Sequence, residues 1–378
     1  MTKPFVLVLS SSGGTGHLRA GEALKQAALH RPGELVCEHH DCLDFTTPLF
    51  KRLYGGSYIE MVNRAPELWG YLYEIAESQS IRKKLLFKVF DHFNYQRYLR
   101  TLRKLKPDAI VCTHFLPYRA VSESLRRSGI TAPIFAATTD CDVHTYWIDP
   151  IVDRYYVYHE ESAWQLEAKG VSASKIRVLG IPIAPEFERL PSQAAARRML
   201  GIDSERLTVL IMSGGFGVGM LQELVSHASA VLSRPGAPPA TLLTVCGNNQ
   251  RARLELERTT FPSTLDVRIF GYVDNVHTFM AASDLLVSKA GGLTTAEAMA
   301  SHLPVIMVNP IPGQEMRNAD LVAEHQAGWK ALNLSHFQYK LLRVLDEPRR
   351  LAIARTQART LAKPAAAHKI MADVLAFL

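Results

Sequence analysis

Glu297, Gln314, Glu315 and Asn318 carry groups that suit a polyhydroxylated ligand. A carboxylate can hold a vicinal diol, and neutral amides can hold hydroxyls. All four fall in Ser288 to Asn318, SKAGGLTTAEAMASHLPVIMVNPIPGQEMRN. The second centre is His17, which closes the run Ser10-Ser11-Ser12-Gly13-Gly14-Thr15-Gly16-His17. A neutral imidazole can take a proton from an alcohol near pH 7, and the positive end of a helix keeps it neutral. Asp140-Cys141-Asp142 spells D-x-D, a pattern that can hold a metal. That motif is short and common by chance, and glycine-rich helix starts can neutralise an anion without a metal, so none is expected.

Plainer readings fit the same residues. Thr294-Thr295-Ala296-Glu297 also fits a capping box, with Glu297 closing back on the Thr294 backbone. Gln314 and Asn318 lie four apart and share a helix face, which solvent alone could explain. The loop before His17 is neither a Walker loop nor G-x-G-x-x-G, and a close strand-to-helix turn would account for it.

The elements that must position these groups can be read around them. Asp284 to Val287 is an apolar run that reads as a buried strand, and Gly291-Gly292 permits a tight turn. A helix follows with Thr294 or Thr295 at its start, then a strand over Val305 to Val308. Pro310, Pro312 and Gly313 make a loop, and Gln314, Glu315 and Asn318 open another helix. Two helix N-termini therefore lie at the carboxyl ends of two strands, where open α/β sheets bind ligands, anions above all. Phe5 to Leu9 reads as a strand, followed by a helix from about Leu18 to Leu29. Further strands are expected over 108–114, 132–140, 153–157 and 176–180. Ile181 to Phe187 is broken by proline and reads as a linker. The pattern then restarts: a strand over 207–212, a glycine-rich loop Ser213 to Gly219, a helix from about Met220, and strands over 241–245 and 267–273. The expected domains are 1–184, 185–347 and a helical tail, 348–378, that packs back on the first domain.

The 378 residues and 47% apolar share suffice for two cores. The net charge of +7 suits a polyanionic partner. Five scattered cysteines without C-x-x-C spacing argue against zinc and against a disulfide framework, and point to a reducing cytoplasm. The apolar run at Phe5 to Leu9 is too short for a signal peptide, and no run is long enough to span a membrane. Thr46 to Lys106 stands apart: it holds 12 Lys or Arg against 5 Asp or Glu, so this stretch alone matches the excess of the whole chain. Eleven of the chain's 32 aromatics also fall there, Trp69 among them. Arg82, Lys83, Lys84 and Lys88 alternate with Leu and Phe at helical spacing. Such a stretch suits the surface of an anionic membrane. Amphipathic helices with solvated basic faces would give the same pattern, while no recognition motif supports nucleic acid.

The motif G-G-x-T-x-x-E followed by P-x-P-G-Q-E and an Asn is present as Gly291, Gly292, Thr294, Glu297, Pro310, Pro312, Gly313, Gln314, Glu315 and Asn318. It resembles the donor-sugar site of inverting glycosyltransferases of the GT-B fold. The branch it resembles holds monogalactosyldiacylglycerol synthase, the processive diacylglycerol β-glucosyltransferases and the peptidoglycan lipid-linked N-acetylglucosaminyltransferase. The resemblance implies an α/β GT-B fold, two Rossmann-like parallel-sheet domains facing a cleft and closing on the donor. It implies transfer of a hexose from a UDP-sugar to diacylglycerol or a glycosyl-diacylglycerol, without cofactor, at the cytoplasmic face of the membrane. By that likeness Glu297 takes the ribose hydroxyls, while Gln314, Glu315 and Asn318 face the sugar. Gly14, Thr15, Gly214, Gly215, Gly217, Gly291, Gly292 and Thr294 lie along the donor, and Tyr272 or Val273 meets the uracil. His17 is the base, with Asp140 and His144 on the acceptor side. Rival readings are a sugar-nucleotide epimerase of the same fold, transfer to a polyprenyl diphosphate, and a non-catalytic sugar-nucleotide sensor at the membrane.

Overall fold

The computed structural model describes residues 3–12, 14–48, 50–52, 92–119, 121–212 and 221–378. They divide into two compact units. The first holds residues 1–185 with 311–314 and 363–378, and the second holds 186–310 with 315–362.

The first unit is built on β1 (Phe5–Ser10), β2 (Val36–Asp41), β3 (Ala109–Cys112), β4 (Ile134–Ala137), β5 (Arg154–Val157) and β6 (Ile176–Val178). They pair in parallel in the order β2-β1-β3-β4-β5-β6. Side chains alternate across a strand. Leu7 and Leu9 accordingly enter the core on one face, with Ile110 and Cys112, while Val6 and Val8 enter the core on the other, with Ala109 and Val111. The second face is covered by α1 (Thr15–Leu29) through Ala23, Leu24 and Ala27. On the opposite face, Tyr98, Leu99 and Leu102 of α2 (His92–Leu105) join the core.

The second unit comprises β7 (Leu207–Met212), β8 (Ala240–Val245), β9 (Leu265–Phe270), β10 (Leu285–Ser288), β11 (Val305–Val308) and β12 (Gly328–Ala331). Its order is β12-β11-β10-β7-β8-β9, again parallel throughout. Numbered from its own first strand this is the 3-2-1-4-5-6 Rossmann arrangement, whose topological switch point falls between β7 and β10. Its helices include α3 (Leu221–Leu232), α4 (Gly292–Ala300), α5 (Gln314–Glu324), α6 (Leu334–Asp346) and α7 (Pro348–Leu361). Asp284, just before β10, anchors the start of that central strand: its carboxylate takes Arg197 at 2.6 Å, Arg355 at 3.1 Å and the Thr208 N–H at 2.9 Å.

Several boundaries differ from the sequence expectation. The first helix begins at Thr15 rather than Leu18, which puts His17 inside its first turn. The helix after β10 begins at Gly292, not at Thr294 or Thr295. β9 ends at Phe270, so Tyr272 and Val273 lie beyond the strand. The tail is two helices, because Ala362 turns the chain into an extended conformation. Its first helix, α7, belongs to the second unit. The second, α8 (Ala366–Phe377), lies on the first unit's sheet with Ile370, Met371 and Val374 fully buried. Each such burial stabilises by about 1.5–3 kcal/mol. Asp373 fixes the contact, accepting from Arg154 at 2.6 Å and from the Tyr156 hydroxyl at 2.8 Å.

Candidate functional site

The switch point of the first sheet lies between β1 and β3, and it gathers the residues around His17. Gly14 is the N-cap of α1 and makes no side-chain cap bond. His17 Nδ1 is 2.8 Å from the Thr113 carbonyl oxygen, just past β3, and 3.0 Å from Thr139 Oγ1, just past β4. A carbonyl oxygen can only accept, so Nδ1 carries the proton and Nε2 keeps its lone pair. A Cβ at position 14 would lie 3.4 Å from His17 Cδ2 and 3.9 Å from Nε2, so glycine there puts no side chain against that edge of the ring. The His114 ring meets His17 edge-on with centroids 4.5 Å apart, and His114 Nδ1 accepts from the Leu116 N–H at 3.0 Å.

Burial lowers the His17 pKa to about 4, with the Thr113 carbonyl opposing the shift. Burial, then the neighbouring His17, holds His114 well below its ordinary value. Both rings are therefore neutral at pH 7. Neutral His17 with an available Nε2 has the form a general base requires.

In the second unit, Gly291 is the N-cap of α4, extended at φ −67° and ψ 140° and without a side-chain cap. A Cβ at Gly291 would meet nothing within 4 Å. The helix start lies at the switch point without a capping side chain, and a helix end there favours an anion. Thr294 is the third residue of the helix, so the capping box does not form. Thr295 instead bonds back through Oγ1 to the Gly291 carbonyl at 2.9 Å. Glu297 lies in the second turn and is 1% exposed. Ser288 Oγ, at the end of β10, is buried with no hydrogen-bond partner among the described residues.

The next helix is tied to that turn. Gly313 at φ +99° takes the left-handed conformation that lets the chain enter α5. Gln314 and Glu315 are partly exposed in its first turn. Glu315 Oε1 lies 3.8 Å from Lys289 Nζ. Asn318 is fully buried, and its Nδ2 donates to the Ala290 carbonyl at 2.9 Å. That bond fixes the β10–α4 turn against α5.

Thr15 and Gly14 are partly exposed at the start of α1. Asp140 is partly exposed just past β4, and it is its neighbour Thr139 that reaches the His17 ring. His144 is buried and caps a short turn by accepting from the Tyr146 N–H at 3.1 Å. Tyr272 is 70% exposed and Val273 partly exposed. Gly214, Gly215 and Gly217 lie outside the described residues, as do Trp69, Arg82, Lys83, Lys84 and Lys88. Sequence reasoning placed Thr113, His114 and Thr139 at the ends of predicted strands without giving them a role at His17, and it passed over Lys289, a cation in the turn after an apolar run.

Residues 17–183 match the family described as monogalactosyldiacylglycerol (MGDG) synthase, and residues 208–370 match the glycosyltransferase family 28 C-terminal domain. A processive diacylglycerol beta-glucosyltransferase of Bacillus cereus (strain B4264) is 30% identical over 320 residues, 84% of this chain and 79% of that protein. The protein of the same name from Bacillus mycoides (strain KBAB4) is 28% identical over 376 residues, 99% of this chain and 94% of that one. Among solved structures, Acinetobacter baumannii MurG aligns over the whole of both chains with a TM-score of 0.62 at 14% identity. That likeness shows the fold, a two-domain GT-B α/β architecture.

Proposed function

Because the chain belongs to the family of the processive diacylglycerol β-glucosyltransferases, we propose that it transfers a hexose from a UDP-sugar to the hydroxyl of diacylglycerol or a glycosyl-diacylglycerol, with inversion. It is a UDP-sugar hexosyltransferase of glycolipid synthesis.

The observation that carries the catalytic part is the His17 ring, neutral and held through Nδ1, with Nε2 left to accept a proton. The acceptor oxygen forms its bond to the anomeric carbon from the face opposite the diphosphate, and the bond from that carbon to the diphosphate oxygen breaks. The transition state has oxocarbenium character. Nε2 takes the acceptor proton as its oxygen gains the new bond. The departing diphosphate is received by the N-terminus of α4, with Lys289 beside it. Glu297 holds the ribose diol, and Gln314 and Glu315 bind sugar hydroxyls. Asn318 acts as a positioning residue through Ala290.

The acceptor hydroxyl lies at the headgroup boundary of a bilayer, so the protein works at that surface. No described helix is long and apolar enough to cross a membrane. The basic, aromatic stretch from Thr46 to Lys106 supplies the contact, on the cytoplasmic face and with anionic lipid.

The test is incubation with diacylglycerol vesicles and a panel of radiolabelled UDP-sugars, followed by lipid chromatography. Label in a glycosyl-diacylglycerol supports the reading. Release of free sugar with none in lipid would make the protein an epimerase or hydrolase of the same fold.

A further inference from the structure

Beneath His17 lies a buried polar cluster that the chemistry above does not use. Ser10 Oγ, at the end of β1, is fully buried and has three polar neighbours: His39 Nε2 at 2.7 Å, Thr113 Oγ1 at 2.8 Å and the His17 carbonyl oxygen at 3.0 Å. Thr113 Oγ1 also lies 2.9 Å from that carbonyl. Thr113 therefore holds His17 twice, the ring through its own carbonyl and the main chain through its hydroxyl. On the far side, Glu22 Oε2 lies 3.4 Å from His39 Nδ1. Serine, histidine and glutamate in this order resemble a nucleophile triad, but a fully buried Ser10 offers no access to a substrate.

We infer that His39 is a positioning residue for the His17 base, acting through Ser10 and Thr113. The Glu22 carboxylate only accepts, so His39 Nδ1 carries the proton and Nε2 accepts from the Ser10 hydroxyl, while the Thr113 hydroxyl donates to the His17 carbonyl. Hydrogen bonds in such a buried network support one another. Without His39, the Ser10 hydroxyl loses its acceptor and can turn toward the His17 carbonyl, in competition with Thr113. The first turn of α1 then loses its fixed height, and Nε2 its aim.

A second observation supports a built arrangement. Gly21, in the second turn of α1, passes directly over the Ser10–His39 contact: a Cβ there would lie 2.3 Å from both His39 Nε2 and Ser10 Oγ. Glycine inside a helix is destabilising relative to alanine, and here it is the residue that lets the helix close on this pair.

The inference rests on the reading of His17 as the base, and a double-mutant cycle separates the two. His39→Leu removes the acceptor, while His39→Gln retains an acceptor oxygen of similar reach. His39→Leu is expected to lower kcat about 3- to 10-fold, the rate equivalent of one neutral hydrogen bond, with KM for the UDP-sugar unchanged. His39→Gln is expected to recover most of the loss. In a His17→Ala background His39→Leu is expected to have no further effect, because its action runs through His17. Should His39→Leu fail to fold, Ser10→Ala breaks the same chain and is read the same way. Wild-type kcat in these variants, or an equal loss in the His17→Ala background, overturns the inference and leaves His17 as the base. Unchanged activity in His17→Ala itself overturns the base assignment instead.

Discussion

The Nδ1 nitrogen of His17 is 2.8 Å from the main-chain carbonyl of Thr113, a residue 96 positions away. That contact decides which ring nitrogen is basic, and burial sets the pH at which it works. The His17 pKa is lowered to about 4, so the neutral ring persists at every pH above that. The acid limb of kcat/KM, which reports the free protein, is accordingly expected close to pH 4, with little loss on going from pH 7.5 to 6. A limb at the ordinary histidine value near 6.5 would mean that the surroundings do not lower the His17 pKa.

The same burial makes the fold acid-sensitive. His17, His39 and His114 all have lowered pKa values, in each case chiefly through burial. The unfolded chain then binds more protons than the folded one between the two sets of values. Stability rises with pH there: it is fully present above about 6.5 and is lost as pH falls toward 4. Tm measured from pH 7.5 to 4.5 should drop, and His114→Gln should flatten the drop. A Tm independent of pH over this range would contradict the assigned burial.

Glu297→Ala is expected to weaken UDP binding by about 1.5–3 kcal/mol, the range for a hydrogen bond to a charged group. The capping alternative is already gone, since Gly291 caps α4. Calorimetry that finds unchanged UDP affinity and only a lower Tm would assign Glu297 to the core.

The parts of the site legible in the sequence are those made by neighbours in the chain. The strand, glycine turn and helix around Gly291 are marked by an apolar run and its punctuation, and all four β10 residues are buried, the strand lying one residue later than the run Asp284 to Val287. Helix starts were read up to three residues late at Thr15 and Gly292, because neither helix begins with a capping side chain. The edge strands β2 and β12 were not read. β2 is Val-Cys-Glu-His-His-Asp, and an edge strand exposed on one side lacks the continuous apolar run that betrays a central one. Missing β2 hid His39. Thr113, Thr139 and His114 were hidden for another reason: β1, β3 and β4 bring them to His17 from a hundred residues or so along the chain, and no local pattern encodes that meeting.

Binding to membranes is expected to depend on Arg82, Lys83, Lys84 and Lys88. Flotation should find the protein on vesicles rich in anionic lipid, far less on neutral ones, and partly released by high salt, since only the electrostatic part is screened. Replacing the four with Gln should weaken binding while activity on a short-chain, detergent-dispersed acceptor survives. Protein that stays with the soluble fraction on anionic vesicles at low salt would sink the membrane assignment.

The central claim is that His17 takes the acceptor proton during sugar transfer to a diacylglycerol hydroxyl. The most direct test is the rate of labelled glycolipid formation by wild type and His17→Ala, alongside UDP-sugar affinity for each. The account predicts kcat lower by about 10² to 10⁴ in the variant, with affinity for the donor nearly intact. Wild-type turnover in His17→Ala, or a loss explained by weaker donor binding alone, would contradict it.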